Sequence, residues 1–173
     1  MNKSRVKSDF IESTRSLLNI LSGVHDNNFN EEPGGDRWTV GMTAEHLIKV
    51  ESGTLKLFSG PADTTERDPA QKIKEIKERL LNYETGMTAY GPIVPDEKPK
   101  EKTKVLEKIQ DIRQQLTGLI DIQDLSKTIT GFEHPLFGYL TRIEWIYFNI
   151  YHSRRHAHRI IEINKSLGRH SDL

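Results

Sequence analysis

Apolar side chains along this chain return every three or four residues, the period of a helix with one face turned inward, and almost nowhere alternate as a strand would. Residues 4–24 carry Phe10, Leu17, Leu21 and Val24 on one face, which predicts a first amphipathic helix. Residues 25–37, with paired asparagines, Pro33, Gly34 and Gly35, predict a loop. Thr39 then stands as N-cap of a second helix from Val40 to about Phe58, whose inner line is Met42, His46, Val50, Gly53 and Leu57. Ser59-Gly60-Pro61 ends it.

Asp68-Pro69 has the form of an N-cap followed by proline at the first helical position, and predicts a short charged helix over residues 70–82. Residues 85–102 hold Gly86, Gly91, Pro92, Pro95 and Pro99 and are mostly loop. A third long helix is expected over residues 103–122, with Val105, Ile109, Ile112, Leu116 and Leu119 as its seam. The fourth covers residues 139–167, a run without Gly or Pro that opens on a capping box, Thr141 with Glu144, and has Gly168 as its stop signal. Four long amphipathic helices with long connections predict an all-α fold, a four-helix bundle. The only strand pairing expected is a brief one between Val94 and residues 127–132.

Composition narrows the class. A chain of 173 residues buries a substantial core as one domain. Its 25 basic and 25 acidic residues cancel, so no global field favours nucleic acid or an anionic membrane. The run Lys98 to Lys104 is basic but short and has no interleaved aromatics, so it carries no nucleic-acid role. There is no cysteine, which excludes disulfides, thiolate ligands and a protein thiol nucleophile, and suits a reducing cytoplasm. No stretch has the length and apolarity of a membrane span or signal peptide.

The chemistry lies in the helical histidines. On the fourth helix Trp145, Phe148, His152, His156 and Ile163 fall within about 40° of one line at about 100° per residue, whereas His158 lies about 160° away on the outer face. His152 and His156 therefore stack on adjacent turns of the inner side, and His46 occupies the inner line of the second helix. If those helices are neighbours, three imidazoles converge near the bundle axis. Buried imidazoles need partners and cannot all charge together; a divalent metal meets both needs. Three nitrogen ligands with one open position suit catalytic zinc, and also nickel, iron or copper, rather than magnesium or calcium. A satisfied pair of core histidines is the structural alternative.

The chain resembles the DinB-like superfamily of metal-binding four-helix bundles, which includes bacterial thiol-dependent S-transferases. The resemblance rests on Trp38-Thr39 before Glu45-His46-Leu47, then Val50-Glu51, and on His134-Pro135-Leu136-Phe137-Gly138-Tyr139-Leu140-Thr141, Glu144-Trp145, Tyr151-His152 and His156. It covers essentially the whole chain, the middle third only in helix order. It implies that His46, His152 and His156 bind a divalent metal, zinc or nickel first and iron next. It also implies a small-molecule substrate and a low-molecular-weight thiol as partner. A glutamine often follows the last ligand by three residues in that family; Arg159 stands here.

Two residues are candidates for a catalytic role. Asn149, about 60° from the ligand line, would orient a water at the metal or a ligand imidazole, or else pack as a helix–helix amide. Arg159 would clamp a substrate carboxylate, or else snorkel or pair with an acidic residue of a neighbouring helix. Gly53, two turns from His46, leaves room for a ligand or allows close helix packing. Glu45 is expected to be solvated or salt-bridged, Trp145 and Phe148 to be core, His134 to shape a turn, and His25 and His170 to be exposed. The function expected is a metal-dependent transferase or hydrolase, with a non-catalytic metal- or ligand-binding bundle and a purely structural bundle as the other readings. A homodimer is compatible with the sequence.

Overall fold

The computed structural model describes residues 2–35 and 37–168. Four long helices make the bundle: α1 (Lys3–Ser22), α3 (Val40–Phe58), α5 (Lys102–Ile122) and α6 (Arg142–Gly168). Two short helices, α2 (Asp26–Phe29) and α4 (Ile73–Leu80), lie in the connections. The residue expected at each predicted start does the capping at two of them. Thr39 Oγ1 accepts from the Met42 amide at 3.1 Å. At α6 the capping box closes both ways, with the Thr141 amide donating to Glu144 at 2.9 Å and the Glu144 amide donating to Thr141 Oγ1 at 3.3 Å. Arg67 clasps the same carboxylate with two bonds of 2.6 Å, so a fully buried Glu144 fixes where α6 begins.

α1 packs against α5 and α6, and α3 against the same two helices. The order around the bundle is thus α1, α6, α3, α5, and the links α1-to-α3 and α5-to-α6 join diagonally opposite helices. Phe10, Leu17, Leu21, Val24, Ile109, Ile112 and Leu116 are all buried, as their periodicity predicts. Each such side chain contributes about 1.5–3 kcal/mol through burial.

Four local expectations need correction. The loop after α1 contains α2, where His25 Nδ1 accepts from the Asn27 amide at 3.4 Å and Phe29 is buried as an anchor. α4 starts at Ile73 rather than next to Asp68-Pro69, because the Lys72 amide is taken by Glu144 at 2.8 Å and residues 69–72 remain turns. The strand pair is β1 (Ala62–Asp63) with β2 (Thr128–Ile129), antiparallel; Val94 takes no part, its carbonyl accepting instead from Lys49. On α5 the seam closes on Ile120, which is fully buried, with Leu119 half-buried beside it.

The fifth correction bears on the site. The most deeply buried face of α3 is Val40, Thr43, Ala44, Leu47, Glu51, Thr54 and Phe58, each at most 1% exposed, and His46 is buried at its margin, 3% exposed. Met42, Val50, Gly53 and Leu57, which share the His46 line, are only half-buried. Because α3 must serve both α5 and α6, its core sector is centred between them, about 100° from His46. The His46 line is the rim of the α3–α6 contact, not the bundle axis.

Candidate metal centre

α3 and α6 are neighbours, and they run antiparallel. Thr54 Oγ1 donates to Asn149 Oδ1 at 3.3 Å, while His46 meets His152 further along both helices. The i, i+4 spacing of His152 and His156 stacks their rings on one side of α6. His152 Nε2 lies 3.2 Å from His46 Nε2 and 3.1 Å from His156 Nε2. The three donor atoms all lie within 4.8 Å of one another. Nitrogen ligands at 2.0–2.1 Å on a tetrahedral ion stand about 3.3 Å apart, so both contacts of His152 already have the spacing of neighbouring ligands.

Their surroundings fix how they face. His46 Nδ1 lies 2.8 Å from the Ile93 carbonyl, a contact only an N–H can satisfy, so in the neutral ring Nε2 presents its lone pair. Trp38 packs on the same ring, with centroids 5.1 Å apart. His152 is stacked on Phe148, 5.2 Å between centroids and 13° between planes. Burial is the first cause holding all three imidazoles neutral. His46 is lowered by burial, against the pull of the Ile93 carbonyl, with Lys49 adding to the lowering. His152 is held well below the ordinary histidine value by burial and then by His156 and His46. His156 is pushed down to about 3 by burial, then by His46 and Arg155.

The set is not self-satisfied. One Nε2 of His152 cannot serve two neighbours with a single proton, and His46 offers only a lone pair. His152 Nδ1 is buried with no hydrogen-bond partner, as is Asn149 Nδ2 one turn away. A cation among the three Nε2 atoms turns converging lone pairs into ligation, so the residues fit a divalent metal. The alternative of a satisfied core pair does not describe this geometry.

The other expected residues divide. Asn149 is fully buried and bridges α6 to α3 through Thr54. Arg159 is exposed, and its ion-pair partner is Glu162 on its own helix at 3.6 Å rather than an acidic residue of a neighbouring one. Gly53 is not a close-packing glycine: a Cβ there would meet nothing within 4 Å. Glu45 is salt-bridged to Lys100 at 2.9 Å and accepts from the Asp96 amide. His25 is exposed, Trp145 and Phe148 are buried, and His170 lies outside the described residues. His158 sits on the outer side of α6, stacked on Tyr83.

Sequence reasoning missed the Ile93 carbonyl. It is delivered by the 3-10 turn Gly91–Ile93, which Gly91 enters with φ of 66°. A backbone acceptor leaves no side-chain signature; the only signal was a Gly-Pro pair inside a loop of otherwise variable character.

A helical bundle of this connectivity with three histidines on two facing helices defines a class, the DinB-type bundles. The DinB superfamily sequence pattern matches residues 9–160, and the chain belongs to that superfamily. It is similar to the uncharacterized protein YuaE of Bacillus subtilis (strain 168), 26% identical over 166 residues spanning 94% of this chain and 99% of YuaE. Two solved structures share the fold. TT2238, described as a four-helix bundle protein, superposes with a TM-score of 0.58 at 19% identity, covering 93% of this chain and 99% of its own. YfiT from Bacillus subtilis, described as a probable metal-dependent hydrolase with an unusual four-helix bundle topology, does so at 0.60 and 17%, covering 96% and 87%.

Among the described residues no helix is long and apolar enough to cross a membrane.

Proposed function

We propose that His46, His152 and His156 hold one divalent metal through their Nε2 atoms, and that the protein is a metal-dependent enzyme acting on a small molecule. The observation that carries this is the trio of neutral imidazole nitrogens converging at ligand spacing. Zinc or nickel suits an all-nitrogen set best, iron next. Such an ion supplies Lewis acidity, lowering the pKa of a water or thiol that takes its remaining position.

The chain's own residues do the rest. The Ile93 carbonyl keeps the proton of His46 on Nδ1 and its Nε2 free. The stacked Phe148 ring fixes the plane of His152. Asn149, tied to Thr54, holds α3 and α6 at the separation the ligand set needs. Because the ligand line is the rim of the α3–α6 contact and His156 is half-buried, a substrate can approach from the groove.

Two nucleophiles meet these requirements. Hydrolysis is supported by the description of YfiT as a probable metal-dependent hydrolase. Thiol transfer is supported by the resemblance to S-transferases; with no cysteine in the chain, the thiol would be an external, low-molecular-weight one. The discriminating experiment assays metal-loaded protein on electrophile, ester and amide panels, each with and without small thiols. Thiol-dependent turnover lost in His152→Ala supports transfer, and thiol-indifferent turnover lost in the same variant supports hydrolysis. Metal binding without turnover on any panel would return the protein to the binding-bundle reading.

A further inference from the structure

A titratable ring close to the triad that the metal does not use is the half-buried His134. It shapes the turn before α6, where the Gly138 amide donates to its carbonyl at 2.7 Å and its own amide to the Gly138 carbonyl at 3.1 Å. It also does something a turn does not require. Its Nδ1 accepts from the Leu136 amide at 3.1 Å, which places the proton of the neutral ring on Nε2. Burial pushes its pKa down to about 4, so near neutral pH it is a donor without charge. The ring packs against Phe137, Phe148 and Trp145 at centroid distances of 4.9, 5.0 and 5.7 Å. Phe148 in turn stacks on His152, so His134 stands one ring away from the triad.

The opposite wall is α3. Gly53 follows His46 by two turns on one face of α3 and adjoins Thr54, which bonds Asn149; that antiparallel register, extended by one turn, brings it toward the part of α6 that carries Trp145 and Phe148. There the missing side chain leaves open space. Trp145 Nε1 also lacks a protein partner but is buried out of reach of solvent, so the donor available to the groove is His134. None of these wall residues carries a charge. Of the cations on the two helices, Lys49 is engaged on the Val94 carbonyl, Arg155 on the carbonyls of Leu80, Asn82 and Thr85, and Arg159 on Glu162, while Lys56, one turn beyond Gly53, is exposed. The two cavities of about 410 and 630 Å³ lie elsewhere, the first beside Lys100 and Asp26, the second beside Arg5 and Tyr151, and neither includes a triad residue.

We propose that the groove between Gly53 and the His134–Trp145–Phe148 wall is the organic-substrate subsite, taking a flat, uncharged molecule whose carbonyl-type oxygen accepts a hydrogen bond from His134 Nε2. This deepens the metal-enzyme reading and rests on it only for which end of the substrate reacts. A ring slides between an aromatic wall and a glycine-cleared helix face, where a bulkier α3 residue would block it. A neutral acceptor is favoured because none of the wall residues carries a charge that would offset the desolvation of an ion.

The test compares acetophenone with ethylbenzene, which match in shape and differ in one acceptor oxygen, titrated into metal-free full-length protein and followed by NMR. Acetophenone should bind about tenfold more tightly, the worth of one buried hydrogen bond. His134→Phe, which keeps the ring but not the donor, should bring the two ligands to equal affinity, and His134→Gln should restore part of the preference. Gly53→Leu should weaken both ligands at least about tenfold while the protein remains folded, since its side chain enters open space. His158→Ala on the outer side of α6 should leave both affinities unchanged, and because the titrations are done without metal their outcome separates failure of this subsite from failure of the metal site. The proposal is overturned if neither ligand binds, if acetophenone has no advantage, if the advantage survives His134→Phe, or if Gly53→Leu changes nothing.

Discussion

Two polar clusters interrupt the apolar interior of this bundle, and they are built in opposite ways. In the first, Arg113 and Glu51 are buried to 0% and 1% exposure and join α5 to α3. Arg113 Nε donates to Glu51 at 2.9 Å and Nη2 to the other carboxylate oxygen, while Nη1 reaches Ser13 and Thr14 on α1 at 3.4 and 3.3 Å. Ser13 continues to Ser153 on α6 at 3.1 Å, and the guanidinium lies 5.2 Å from the Phe10 ring centre. All four long helices enter this network, and every side-chain atom named in it has a partner. The second cluster, the three histidines, spans only α3 and α6 and leaves His152 Nδ1 and Asn149 Nδ2 unpartnered. Depth and satisfaction separate the two: the joint is buried throughout and fully partnered as folded, whereas the histidine cluster is shallower, with His156 half-buried, and keeps buried polar atoms unpartnered.

The largest effect should come from breaking the joint. Glu51→Ala leaves a buried guanidinium uncompensated and should cost about 3–5 kcal/mol in urea unfolding. Glu51→Leu combined with Arg113→Met should recover most of that loss, because an apolar pair of similar volume removes both desolvation costs. A cost below about 1 kcal/mol for Glu51→Ala would mean that water reaches the pair and that the contrast with the histidines is not one of satisfaction.

A middle-sized effect should come from completing the site. Zinc or nickel held at about 100 times its dissociation constant should add about 2.7 kcal/mol to stability. For a chain of this length that is a rise of roughly 5–10 °C in Tm. His156→Ala should abolish the rise, and His158→Ala on the outer side should keep it. All three imidazoles of the cluster are lowered from 6.5 in the folded state, so the stability tied to them is full above that value and lost as pH falls toward the folded value, about 3 for His156. The metal-dependent rise should shrink in the same direction as protons compete for Nε2. Equal responses from the two variants would break the assignment of faces.

How much of this was legible in the sequence follows from how local each determinant is. Thr39 and the Thr141–Glu144 box set helix starts through contacts three residues apart, so they read directly. Convergence of His46, His152 and His156 was legible because a helical period carries side-chain direction along with it. The depth of the site was not. Whether His46 lies on the axis or the rim depends on how α3 divides its surface between α5 and α6, and no residue of α3 encodes that alone. The late start of α4 failed for the same reason, since a carboxylate on α6 takes the amide at its entrance. His134 was read as a turn residue, which it is; its ring acquires a second surrounding only when Trp145 and Phe148 arrive from α6.

The smallest effect tests the charge of the groove. Arg159 stands three residues beyond His156, where an inward guanidinium would have clamped an anionic substrate beside the metal. Its side chain is instead 44% exposed and pairs with Glu162 at 3.6 Å, an arrangement worth about 0.5 kcal/mol or less. Arg159→Ala should therefore shift Tm by no more than about 2 °C and leave the zinc affinity within about twofold. The sharper measurement is benzoate binding, because benzoate matches acetophenone in size but carries a full charge. With no charged residue in the groove's walls, benzoate should bind more weakly than acetophenone, and Arg159→Ala should not change that order. If benzoate instead binds more tightly in the parent protein and loses that advantage in Arg159→Ala, then Arg159 swings inward when an anion is present. The groove would then be an anion site with a mobile clamp, and the uncharged-substrate assignment would fall with it.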